Sequence, residues 1–381
     1  MIAVTNTQIV LKNQILNDGV LLIEDGKIAN FGSRNELQIP DDAQILDANG
    51  QYVGPGFVDI HCHGGNGFRF DEQPENAAAY FLKSGTTTVL ATLYTNLTFD
   101  EYMHSIRHVL DVMENGSAKN IGGFYMEGPY TNEKYGAMPE NNRWRGEIKA
   151  EMYEPVAELA GTHAKVWVIA PEREGIEPFL KKVRQVNPDV TISVGHSEAT
   201  PDQISAFREY GLKLLTHCTN ATGRLPCPAG TRSCGPDEAC FLDDEMFAEV
   251  ICDSQGIHVH PDMLNLILKI KGKDKVILIS DSFVSDQPSP PELAHITDLN
   301  FDANGDLCGS CLTLNVACRN MRKHTGISIT DAFRMAATNP ARAIGMEHQL
   351  GSIEIGKKAN LVIVNDEFEI KNVILEGEIV C

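Results

Sequence analysis

A chain of 381 residues is long enough for one large barrel or for two domains, and it needs no disulfide or metal staple merely to fold. Hydrophobic residues make up 43% and charged residues 22%, ordinary globular usage, and no apolar run is long enough to span a membrane. The 52 acidic against 32 basic residues give a formal charge of −20, which opposes general affinity for nucleic acid or anionic membrane; the expected partner is a small molecule, and an anionic one must be held by local donors.

Residues 1–54 read as short strands with turn punctuation: Gly19-Val-Leu-Leu-Ile-Glu24, the Asp25-Gly26 hairpin turn, then Lys27-Ile-Ala-Asn-Phe31. Residues 350–381 have the same texture, so the two ends are expected to pair into one small β-sandwich domain. Between them, residues 55–349 alternate apolar β-rich runs with helical patterns. Eight candidate strands lie near 57–61, 86–92, 121–126, 165–169, 190–195, 212–216, 248–252 and 276–280, the count of an α/β fold of the (β/α)8 barrel type. No Gly-x-Gly-x-x-Gly follows a strand to favour a dinucleotide site.

In this fold the site is built where strands end. The first candidate strand runs into Phe57-Val-Asp-Ile-His-Cys-His63, and residues two apart in an extended segment share a side, so His61 and His63 can reach one ion. Glu127 follows the third strand, His196 the fifth, His217 the sixth, His258 the seventh and Asp281 the eighth. Imidazoles and carboxylates at six strand ends suit a divalent transition metal, one ion or two, with zinc first and iron or manganese as the other candidates. His104 and His108 fall in a helical pattern, and His163, His295, His324 and His348 are expected in loops or on surfaces without a role. Ten cysteines behind a start with no basic, apolar leader fit a reducing cytoplasm, and the five from Cys218 to Cys252 lack the Cys-x-x-Cys spacing of a structural zinc site.

His61-x-His63, Glu127-Gly-Pro, Gly-His196-Ser, Thr-His217-x-x-Asn220-Ala221, Gly-x-His258-Val and Asp281 resemble the amidohydrolase superfamily and, within it, the N-acetylglucosamine-6-phosphate deacetylases. The resemblance covers nearly the whole chain and implies roles. Glu127, His196 and His217 would hold the principal metal, and His61 and His63 would complete a second position bridged through Glu127. Asp281 would be the general base that takes a proton from the attacking water and returns it to the leaving amine. Asn220, Ala221, His258 and the segment Leu307, Cys308 and Gly309 would contact substrate, in a cytoplasmic homodimer.

Three departures bear on the substrate. After Gly136 the family usually has a histidine that polarises the amide carbonyl, but here the chain reads Ala137-Met138-Pro139, and a thioether cannot donate that hydrogen bond. The arginine loop that binds the sugar phosphate, often across a dimer interface, is replaced by a longer Cys/Pro-containing segment carrying Arg224 and Arg232, with Arg143 and Arg145 as a further anion candidate. The family's Asp-Gly and Ser-Asp-Ala are Gln255-Gly256 and Ser280-Asp281-Ser282. The sequence thus reads as a metal-dependent amide hydrolase that removes the N-acetyl group from an amino sugar, N-acetylglucosamine-6-phosphate or a related phosphorylated N-acetylhexosamine. Its rivals are an amidohydrolase of the same fold with another N-acyl or cyclic-amide substrate, and a non-catalytic metal-binding homologue.

Overall fold

Eight parallel strands form the centre of the molecule: Phe57–Cys62, Thr86–Tyr94, Ile121–Glu127, Ala164–Ile169, Thr191–Val194, Leu212–Leu215, Phe247–Ile251 and Val276–Ile279. The computed structural model describes every residue of the chain except Met138 and Asp286. The strands pair in chain order, each parallel to the next. First and eighth close the ring at the end where the site lies, where the Asp281 N–H donates to His61 O (2.9 Å) and the His63 N–H to Ser282 O (2.9 Å). Beneath that seam the buried Asp59 carboxylate accepts from the Ser280 N–H at 3.3 Å. The barrel and all eight expected strands are therefore present.

Helices cover the outside because their apolar residues recur at helical spacing. Phe99–Glu114 buries Tyr102, Ile106, Val109 and Val112, and starts on a capping box in which Thr98 and Glu101 satisfy each other's N–H groups. Inside the barrel, Val58, Ile60, Leu90, Tyr125, Val166, Val168, Leu214, Ile277 and Ile279 pack as a separate apolar cluster with Ala341 and Ile344. The barrel is thus a filled core, and a ligand can enter only at the strand ends.

The two chain ends meet in a second, eight-stranded sheet, where Tyr52–Pro55 runs antiparallel to Leu361–Val364 with Val53 opposite Ile363. Asp25 and Gly26 both take positive φ, 50° and 74°, the turn that matches strand twist in a two-residue hairpin. Strand alternation puts Leu21 and Ile23 on one apolar face and Val20 and Leu22 on the other. One histidine differs from its expected place: His324 lies near the end of the helix Leu314–Thr325, and its Nε2 is 2.9 Å from Asp253 O, because that face of the helix packs under the loop after the seventh strand.

Candidate active site

Glu127 is the last residue of its strand, while His196, His217 and Asp281 each come two residues after theirs. These three share a backbone signature, with φ of 46°, 29° and 45°. A left-handed turn at a non-glycine residue is strained, and here it ends the extended path at the barrel mouth with each side chain in the site. Gly136 closes the arrangement from above: a Cβ on it would come within 2.8 Å of His196 Nδ1.

Four imidazoles converge on one carboxylate. Glu127 Oε1 lies 2.8 Å from His196 Nε2, 3.2 Å from His217 Nε2 and 3.4 Å from His61 Nε2, and Glu127 Oε2 lies 3.0 Å from His63 Nε2. His61, His63 and Glu127 form one cluster of metal-ligand atoms, and Glu127, His196 and His217 form another, with Glu127 common to both. His196 Nε2 and His217 Nε2 are only 3.0 Å apart, and the buried His61 Nε2 lacks a hydrogen-bond partner. Such a set of buried imidazole nitrogens around a shared carboxylate fits a divalent transition metal at one or both positions.

Charge in the cluster is arranged accordingly. Burial lowers the pKa of His63, but Asp281 and Glu127 more than reverse that and lift it to about 9; His61 is also held well above the ordinary histidine value, against burial, by Glu127 and Asp281. Burial raises the Glu127 carboxyl, yet the neighbouring His61, His196 and His217 bring it well below its usual range. Asp281 is likewise lowered, against burial, by His61 and His63.

In the metal-free protein the stabilising effect of His63 is complete below the ordinary value of 6.5 and is lost as pH rises through about 9. The Glu127 contribution is present above the ordinary 4.5 and is lost as pH falls below it. Metal must displace the imidazole protons, so uptake is expected to release protons and to tighten as pH rises from 6.5 to 9. Competition against a chelator at three pH values checks this; an affinity flat across that range contradicts it.

A further layer of groups orients these side chains, and two of its acids, Glu249 and Asp253, stand outside the motifs. Glu249 Oε2 faces His61 Nδ1 at 3.2 Å. His217 Nδ1 lies 3.1 Å from Asn220 O, which directs its Nε2 at Glu127. Asp253, lowered against burial by hydrogen bonds from His258 and the Ile257 N–H, faces His258 Nδ1 at 3.1 Å, and His258 Nε2 is 3.1 Å from Gly309 O. Glu172 accepts from Ser197 Oγ and the Glu198 N–H, clamping the loop after His196. The one legible signal was an acid inside an otherwise apolar strand, Phe-Ala-Glu-Val-Ile251.

Above the cluster opens a cavity of about 460 Å³. Its lining includes Asn220, Ala221, His258, Leu307, Cys308, Gly309 and Ala137, so the structure brings these expected contacts to one space with His63, Glu127, His196, His217 and Asp281. Met138 lies outside the described residues. Arg224 and Arg232 do not line the cavity; they stand on an exposed loop with side chains 47% and 66% exposed, 3.9 and 3.0 Å from Glu238. Arg143 and Arg145 are outside the lining as well.

Residues 52–380 match the Amidohydrolase family. The chain belongs to that family. This amidohydrolase is 29% identical to the N-acetylglucosamine-6-phosphate deacetylase of Bacillus subtilis (strain 168), over 97% of this chain and 95% of that protein. It is also 29% identical to the N-acetylgalactosamine-6-phosphate deacetylase of Escherichia coli O157:H7, over 96% and 95%. Among solved structures, the N-acetylglucosamine-6-phosphate deacetylase of Pasteurella multocida superposes with a TM-score of 0.85 at 28% identity, covering 100% of this amidohydrolase and 99% of that chain.

Proposed function

We propose that this amidohydrolase removes the N-acetyl group from an amino sugar, N-acetylglucosamine-6-phosphate or a related phosphorylated N-acetylhexosamine. One observation carries the hydrolytic part: Asp281 Oδ1 sits 3.5 Å from His61 Nε2 and 3.4 Å from His63 Nε2, facing the cavity beside the shared Glu127. Glu127, His196 and His217 would hold the principal metal, and His61 with His63 and Glu127 a second. A bound zinc, iron or manganese lowers the pKa of water and polarises the amide carbonyl. Asp281 accepts the proton of the attacking water at its carboxylate and then donates it to the departing nitrogen. Asn220, whose side-chain amide donates to His258 O at 3.0 Å, and His258, held by Asp253 and facing Gly309 O, line the cavity where a polyol would lie.

The sugar and its phosphate are supported by the relatives in both hexosamine series, and Arg224 or Arg232 is the candidate phosphate partner, reaching the cavity of a second copy in a cytoplasmic homodimer as the family resemblance implies. One observation favours another substrate of the same chemistry: among the described residues the cavity lining holds Asp302 and Asp306 but no lysine or arginine. Acetate release from N-acetylhexosamines with and without the 6-phosphate separates the two. A charge-assisted contact contributes about 1.5–3 kcal/mol, so Arg224→Ala or Arg232→Ala is expected to lower kcat/KM about ten- to a hundredfold for the phosphorylated sugar alone. A parent enzyme indifferent to the phosphate would transfer the assignment to a neutral N-acyl substrate.

A further inference from the structure

We infer that Glu249 is a positioning residue of this site: it holds the His61 ring through Nδ1 and ties it to the His217 backbone, so that His61 Nε2 faces Glu127. The inference rests on the proposed metal site and adds a residue to it.

In the seventh strand, Phe247 and Ile251 belong to the apolar barrel interior while Ala248 and Val250 face the outer layer. Glu249 shares the interior side by alternation, and its side chain is wholly buried. An acid in that row is costly unless it is paired. One oxygen, Oε2, receives all its neighbours: the His217 N–H at 3.2 Å, the Tyr125 O–H at 3.1 Å, and His61 Nδ1 at 3.2 Å. A backbone N–H can only donate, so Oε2 is an acceptor and His61 Nδ1 carries the hydrogen that faces it. In the neutral ring this leaves the lone pair on Nε2, 3.4 Å from Glu127 Oε1 and 3.5 Å from Asp281 Oδ1.

Rotation of the ring is limited from its face as well. Tyr125 stacks on His61 with ring centroids 4.3 Å apart, and its hydroxyl lies 2.9 Å from Thr216 Oγ1, the residue before His217. The other oxygen, Glu249 Oε1, is buried without a hydrogen-bond partner. A carboxylate behind a ligating imidazole fixes the ring's tautomer and direction.

The test uses the full chain labelled with ¹⁵N-histidine, metal-free and metal-loaded, with the His61 ring signals assigned by their disappearance in His61→Asn. Wild-type protein is expected to show a downfield, slowly exchanging Nδ1–H from His61. In Glu249→Gln that signal shifts or vanishes, and cobalt titration followed by visible absorption shows an about 10- to 100-fold weaker site at His61/His63 with the Glu127/His196/His217 site retained. Tyr125→Phe leaves Glu249 against His61 and should keep the signal. Absence of a protected Nδ1–H in the wild type overturns the inference, and needs no Glu249 variant to fold. An unchanged signal and titration in Glu249→Gln, or an equal loss in Tyr125→Phe, overturns it too. A wild type that binds no metal defeats the proposed function instead, while the ring signal of the metal-free protein still decides the role of Glu249.

Discussion

Replacing Asp281 by Asn is expected to leave the fold and the metal content as they are and to lower kcat about 10²- to 10⁴-fold, the usual contribution of a positioned general acid–base. Asparagine has the shape of aspartate, so the backbone contacts at this position, N–H to His61 O and carbonyl from the Ser310 N–H at 2.8 Å, survive the change. What is lost is a carboxylate that can hold a proton between the attack of water and the departure of the amine. In the metal-free protein Asp281 is held below its ordinary value, against burial, by His61 and His63, so its ionised form persists as pH falls through the usual carboxylate range. A variant that retains near wild-type acetate release would assign the proton transfer elsewhere.

The second large effect is expected at Glu127. Among the described residues Glu127 is the one common to both candidate metal clusters, so Glu127→Gln removes the negative charge from each at once. Metal content should fall to background by elemental analysis, and turnover should drop on the order of 10³-fold or more, the effect of losing several kcal/mol of charge stabilisation. The metal-free variant carries its own signature. With Glu127 neutral, the four imidazoles lose the partner that raises His61, His63 and His217, so the variant should melt below the metal-free wild type at pH 6. Retention of full metal content would show that the histidines alone hold the ion. His196→Ala offers a milder comparison, since it takes a ligand from one cluster and leaves His61, His63 and Glu127 together.

The barrel and most of the cluster were legible in the chain because both follow from local rules. Apolar β-rich runs broken by helical spacing can close only as parallel strands with helices outside, and a (β/α)8 ring places whatever follows each strand at one mouth. His61, His63, Glu127, His196, His217 and Asp281 stand next to recognisable strand ends, so their convergence could be expected before any coordinate. Asp25-Gly26 and the matching texture of the two termini made the second sheet legible in the same way.

Tertiary structure alone decided three things. Glu249 orients the site from a strand far from His61 in sequence, and a hydrogen bond between residues 188 apart has no local pattern to announce it. The left-handed turns at His196, His217 and Asp281 are imposed by the packing of strand ends around the mouth, at residue types that tolerate positive φ better than most. Arg224 and Arg232, which the family resemblance offers as phosphate partners, stand outside the cavity beside Glu238, because the loop that carries them lies on the surface and their long charged side chains stay in water. Periodicity and strand order determine which side chains arrive at the mouth of the barrel; which of them face one another, and which buried acid holds each in place, depends on contacts that exist only once the ring has closed.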